Sequence, residues 1–149
     1  MELEFLLYKK RRVNSKKNKQ KNRGKSLQNS IEIKMVFINK ATIKDAYVLS
    51  KLSVAAFLPA HGHSASEEII TNYISANFSE ENFIKELSSP DFQYHLIYYK
   101  DELAGFSKVI FNYQNEFVTD TNATKMERLY LLQKYYNLGL GKELLNFNI

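Results

Sequence analysis

From Met35 onward the apolar positions fall into two successive rhythms. Residues 36–39 read as a short strand. Thr42 and Asp45 have the spacing of a capping box, and Ala46, Leu49, Leu52 and Ala56 follow at helical intervals, ending near Phe57 and Pro59. Ser66 caps a second helix with Ile69, Ile70, Tyr73 and Ile74 on one face. Ser79 caps a third, with Phe83, Ile84 and Leu87 inward, stopped at Ser88-Ser89-Pro90. The period then changes from about 3.6 to 2. Phe92, Tyr94, Leu96 and Tyr98 alternate with Gln93, His95, Ile97 and Tyr99, which predicts a strand. Lys100-Asp101-Glu102 forms a hairpin connection into a return strand over 103–111, with Gly105 marking a bulge or a close backbone approach. A polar loop over 112–122 leads to a strand over 124–132, a glycine turn and a helix beginning at Lys142. The order is β-α-α-α-β-β-β-α, a mixed α/β (α+β) layout that by itself selects no function.

With 149 residues and 44 % hydrophobic content the chain can bury one core. It contains no cysteine, which excludes disulfides, cysteine-based zinc sites and a thiol nucleophile. No apolar run approaches the roughly 20 residues of a membrane-spanning helix. The N-terminus lacks the charge order of a secretory signal, so a cytoplasmic location is expected.

Charge divides the chain. Residues 1–34 hold 11 Lys/Arg against 3 Glu, whereas residues 35–149 hold 10 Lys/Arg against 13 Asp/Glu. Residues 9–28 have almost nothing to bury and are expected to be disordered. Two readings of this tail stand: a basic arm for nucleic acid, without the aromatic residues that stack on bases, or upstream sequence ahead of a start at Met35. The expected organisation is a basic tail over 1–34 and one domain over 35–149.

Chemistry concentrates in residues 126–145. A strand there runs into a loop with Gly139 and Gly141, followed by a helix with Lys142 in its first turn. Glycine admits backbone dihedrals closed to other residues, and the amides of a helix N-terminus carry about half a positive charge. The combination suits a phosphate or pyrophosphate. It matches neither the Rossmann fingerprint nor the P-loop, because the third glycine and the Gly-Lys-Ser/Thr ending are missing.

Glu127-Arg-Leu-Tyr-Leu-Leu followed by Gly139-Leu-Gly-Lys-Glu-Leu-Leu resembles motif A of the GNAT N-acetyltransferases. In that family a hydrophobic fourth strand ends in a (Gln/Arg)-x-x-Gly-x-(Gly/Ala) loop that leads into a helix. Tyr136 stands where the family has Gln or Arg. Upstream, the segments beginning at Asn72, Gln93 and Asp101 resemble the PaiA-type polyamine acetyltransferases, so that the likeness covers about residues 36–145. The resemblance implies acetyl-CoA as co-substrate, no metal, and a ternary complex without a covalent enzyme intermediate. Backbone around Leu129, Tyr130 and Leu131 would pair with the pantetheine arm, and an amide near Leu131 would stabilise the oxyanion. Tyr136, Asn137, Leu138, Gly139, Leu140, Gly141 and Lys142 would cradle the pyrophosphate.

The acceptor is expected to be a small amine, with polyamines, protein N-termini and antibiotics as the classes in question. An alkylamine, with a pKa of roughly 10, must lose a proton before it attacks. Glu127, an acid within an apolar strand, is the candidate base; the alternative is that it pairs with a neighbouring Lys or Arg across the sheet. The family fold continues with a fifth strand and with a tyrosine that protonates the departing thiolate. Neither lies within these 149 residues, so the chain is expected to be an inactive fragment with an exposed strand edge. A non-catalytic interaction protein using the basic tail is the reading from another class, and the oligomeric state is left open, a homodimer included. His61 and His63 lack a third ligand at metal spacing, His95 is expected on a sheet face or the surface, and Tyr94, Tyr98, Tyr99 and Tyr113 belong to core or cleft wall.

Overall fold

Strand β1 (Val36–Lys40) is followed by helices α1 (Ala46–His61), α2 (Glu67–Asn77) and α3 (Glu80–Leu87). Strands β2 (Phe92–Tyr99), β3 (Glu102–Ile110) and β4 (Lys125–Leu131) come next, and helix α4 (Leu140–Asn148) closes the series. This computed structural model describes residues 35–118 and 122–149. The basic tail and part of the polar loop lie outside the described residues. The order of elements is the one expected from the sequence, and every pairing among the described strands is antiparallel, in the order β1-β2-β3-β4.

Local chemistry sets most boundaries. The Thr42 backbone N–H donates to the Asp45 carboxylate at 2.7 Å, but the turn they close, Ile43–Asp45, is 3-10 before α1 becomes α-helical. Ser66 Oγ accepts from the Ile69 amide and Ser79 Oγ from the Asn82 amide, the caps read from the sequence. α1 runs past Pro59 to His61, two residues beyond the expected stop. Pro59 gives up its own bond to the carbonyl four residues back, and the two residues after it still take helical dihedrals. Lys100 and Asp101 both take positive φ (50° and 64°), which gives the β2–β3 hairpin a tight turn matched to strand twist.

The sheet is covered on both faces. Tyr94, Leu96 and Phe106 pack with Leu49, Leu52, Phe57, Phe78 and Phe83 beneath α1–α3. Ile97 and Ala104 pack on the other face with Leu140 and Leu144 of α4. Burying a side chain such as Phe83 or Leu49 contributes roughly 1.5–3 kcal/mol. Two expectations of burial fail. Ile69 and Ile84 are exposed, because each follows the helical turn about 100° away from its buried neighbour, Ile70 and Phe83. His95 lies on a sheet face, one of the two places expected for it, and is buried under the end of α4.

Candidate acetyl-CoA and acceptor site

β4 carries most of the candidate residues, and its shape depends on one bulge. Lys108 of β3 pairs with Arg128, whereas the next residue, Val109, pairs with Met126, so Glu127 is the extra residue on β4. The bulge turns Glu127 toward the α1–α3 side together with Arg128. There Lys108 Nζ sits 2.6 Å from Glu127 Oε2 and 2.9 Å from Glu86 Oε1. Its contact with Glu86 is a hydrogen bond; that with Glu127 is a charge contact outside hydrogen-bond alignment. Arg128 Nε approaches the same Glu127 oxygen at 4.0 Å, while its Nη2 donates to Asn77 Oδ1 at 3.0 Å. The cross-strand pairing weighed for Glu127 is therefore present in the geometry. The Glu127 side chain keeps 28 % of its surface in solvent.

This cluster is held from below. The Tyr94 hydroxyl donates to Glu86 Oε2, and the Lys108 ammonium lies over the rings of Phe92 (4.7 Å) and Tyr94 (5.9 Å). Burial, reinforced by the Glu86 carboxylate, holds the Tyr94 phenol far above its ordinary range, so it remains a donor. Sequence reasoning missed Glu86, Lys108, Arg128 and Asn77. A lysine in the middle of an apolar strand was the signal that could have found the cluster, since a buried ammonium needs partners.

The outer side of β4 is an edge, with no strand beyond it among the described residues. Leu132 N–H donates to Ala104 O at 2.8 Å, and the Tyr130 carbonyl points toward Gly105 so closely that a Cβ there would lie 2.2 Å from it. Backbone groups alternate in direction along a strand, so Tyr130 spends its amide and carbonyl on β3 while those of Leu129 and Leu131 face the open edge. The expectation for the three residues narrows accordingly. Leu129 and Leu131 offer backbone, and Tyr130 offers a ring. The side chains of Leu129 and Leu131 pack against α4.

After β4 the chain makes a 3-10 turn, Gln133–Tyr135, anchored by the buried Tyr135, whose hydroxyl donates to Glu102. Tyr136 is extended and half-exposed, and Asn137 takes φ 64°. Gly139 takes φ 76° and ψ 0° as the N-cap of α4, which therefore begins at Leu140, ahead of the expected Lys142. No side chain caps this helix. Its first intrahelical bond is from the Glu143 amide to Gly139 O at 3.1 Å, which leaves the amides of Leu140, Gly141 and Lys142 without helical partners. Leu140 is a core anchor, its side chain buried, whereas Leu138 and Lys142 are exposed. Gly141 is not needed for space: a Cβ there would make ordinary contacts with Leu131 and Leu129 at 3.6 and 3.7 Å.

His61 packs 5.0 Å from Phe57 and is half-buried, while His63 is exposed. No group of three or more His, Cys, Asp or Glu residues gathers among the described residues. None of the described helices is long and apolar enough to cross a membrane.

Comparison with known proteins accords with this geometry. The model of the acetyltransferase (GNAT) family matches residues 58–148, more than half of the chain. An uncharacterized N-acetyltransferase in the pepI 3′ region of Lactobacillus delbrueckii subsp. lactis is 26 % identical over 116 residues, covering 77 % of this chain. The chain spans 65 % of that relative's length. The crystal structure of PaiA N-acetyltransferase from Thermoplasma acidophilum, in complex with coenzyme A, superposes with a TM-score of 0.58 at 22 % identity, over 76 % of this chain and 69 % of that one. A GCN5-related N-acetyltransferase from Rhodopseudomonas palustris gives 0.58 at 19 % identity, over 75 % and 62 %. At these identities the structures share the fold. By its sequence from α1 to α4, the chain belongs to the GNAT acetyltransferase family.

Proposed function

We propose that the protein is an acetyl-CoA-dependent N-acetyltransferase whose acceptor is a small primary amine, with polyamines the favoured class. The observation that carries this reading is the junction of β4 and α4. Outward-facing backbone at Leu129 and Leu131 is followed, after the turn at Gln133–Tyr135, by a helix start whose amides are uncapped, behind a glycine with φ 76° and no atom within 4 Å of a Cβ position. A thioester arm fits the first feature and a nucleotide diphosphate the second. Acetyl-CoA would supply the activated acyl group. The chain would supply the Leu131 amide as an oxyanion donor, the Leu140, Gly141 and Lys142 amides as the diphosphate cradle, and Glu127 as the group that takes the acceptor's proton.

The surface of α2 and α3 supports a cationic acceptor. Glu67, Glu68, Glu80 and Glu81 are exposed on these helices against Lys85. Such a field favours the approach of polycations to this side of the protein.

Calorimetric titration of the chain with coenzyme A, and separately with pantetheine, tests the reading. One-to-one binding of coenzyme A with much weaker binding of pantetheine is expected, since the uncapped helix start has no diphosphate to hold in the second case. Equal heats, or none with coenzyme A, would overturn it.

A further inference from the structure

The stretch between β4 and α4 holds a costly backbone shape with few contacts. Asn137 sits at φ 64°, a region that a Cβ disfavours, and Gly139 follows at φ 76°. Of residues 133–138, Tyr135 alone is buried. Its amide bonds Leu132 O at 2.9 Å, and that of Tyr136 bonds Gln133 O at 3.1 Å. These local bonds shape the turn without tying it to the rest of the fold. The Tyr135 ring packs with Ile97, Ala104, Leu140 and Leu144, edge-on to Tyr99 at 6.1 Å. That packing uses the ring and makes no demand on the hydroxyl.

The hydroxyl donates instead to Glu102, whose Oε2 also accepts from Lys134 Nζ at 2.8 Å. Among the described residues these are the long-range hydrogen bonds of the stretch 133–138, and both end on one carboxylate. Lys134 also lies over the Tyr135 ring, 4.7 Å from its centroid. Bonds from Lys134 and Tyr135 hold the Glu102 carboxyl below the ordinary carboxylate range, so it is an ionised acceptor. Glu102 is the first residue of β3 and pairs with Tyr99 across the hairpin. It therefore stands on backbone fixed by the sheet, which the loop lacks.

We infer that Tyr135 is a positioning residue for the diphosphate cradle: its hydroxyl, latched to Glu102, holds the loop over 136–139 in the shape the ligand requires. The inference rests on the coenzyme A reading of this loop. A loop already in its binding shape need not be ordered by the ligand, and apparent affinity falls in proportion as that shape becomes less populated. Pantetheine, which has no diphosphate, gains nothing from the latch.

Amide-shift titrations of the full nitrogen-15-labelled chain with coenzyme A and, separately, with pantetheine test the latch. In Tyr135→Phe, which keeps the ring, coenzyme A is expected to bind roughly two- to fivefold more weakly, and pantetheine as in the parent. Glu102→Gln loses the charge but keeps an oxygen for the hydroxyl, whereas Glu102→Ala loses both. The alanine variant is expected to bind coenzyme A roughly two- to fivefold more weakly than the glutamine variant, a comparison that cancels the charge. Both changes are at an exposed position, so they decide the matter if Tyr135→Phe fails to fold. Equal coenzyme A affinities in Glu102→Ala and Glu102→Gln, or a matching loss for pantetheine, would overturn the latch. Absence of coenzyme A binding by the parent would remove both claims, whereas binding with no difference among the variants removes the latch alone.

Discussion

Lys108 and Glu127 meet across the β3–β4 pair at 2.6 Å because a bulge turns Glu127 onto the face that Lys108 already occupies. The same lysine bonds Glu86 and is almost wholly buried, so one ammonium serves two carboxylates on different elements. Replacing it by methionine leaves both acids facing each other without their shared cation. The expected loss of stability for Lys108→Met is about 3–5 kcal/mol, measured by urea denaturation. Glu127→Gln is expected to cost about 1 kcal/mol or less, since Lys108 keeps Glu86 and Glu127 is partly solvated. Equal losses in the two variants would contradict this division of labour.

The glycines differ in what they do, and substitution separates them. Gly105→Ala would drive a methyl into the Tyr130 carbonyl and should destabilise by about 1–3 kcal/mol. Gly139→Ala meets no neighbour but must hold φ 76°, at a cost of about 1–2 kcal/mol. Gly141→Ala is expected to be neutral or to stabilise by up to about 1 kcal/mol, because the position is helical and has room. Among the three variants Gly141→Ala should have the highest melting temperature, with Gly105→Ala and Gly139→Ala both below the parent. A destabilised Gly141→Ala would mean that the first turn of α4 is not the helix described.

His95 is expected to make folding sensitive to acid. Its Nδ1 bonds Asn148 Oδ1 at 2.8 Å, and Asn148 in turn donates to Ser107 Oγ at 3.0 Å, tying the end of α4 to the sheet. Burial lowers the His95 pKa below its ordinary value of 6.5; the Asn148 hydrogen bond opposes this shift and Lys40 adds to it. The unfolded chain therefore binds the proton more readily. The contribution is complete above about 6.5 and is lost as pH falls through the folded value. Between pH ~7 and ~5 the stability of the parent should fall more steeply than that of His95→Gln, by at most about 1.4 kcal/mol per pH unit. Superimposable pH profiles would contradict the buried neutral imidazole.

Lys142 stands exposed in the first turn of α4, beside the uncapped amides. If a diphosphate binds there, Lys142→Ala should weaken coenzyme A by roughly two- to fivefold, and the loss should fade in high salt. An unchanged affinity at low salt would remove Lys142 from the cradle.

The elements were legible where one physical rule acted alone. Ser66 and Ser79 announced their helices because a side-chain oxygen must satisfy an orphan amide, and the alternation from Phe92 to Tyr99 announced β2 because a strand has two faces. Gly105 was legible as a bulge or close approach, and it proves to be both: Ala104 beside it is the extra residue between the Ile97 and Tyr98 pairings, and the Tyr130 carbonyl leaves no room for a Cβ. What the sequence hid was register. Only the offset between the Lys108 and Val109 pairings brings Glu127 to Lys108, and no local pattern encodes that offset. Tyr130 was assigned by its place in the strand, whereas its backbone direction depends on which edge of β4 is covered.

The edge of β4 and the start of α4 are proposed to form one continuous binding surface for coenzyme A. Titrating coenzyme A into the uniformly nitrogen-15-labelled chain and recording amide shifts tests it residue by residue. The largest changes are expected at Leu129, Leu131, Leu140, Gly141 and Lys142, with the Tyr130 amide, which faces β3, much less affected. Changes clustered instead along β1, or an absence of change at the Gly141 and Lys142 amides under saturating ligand, would contradict it.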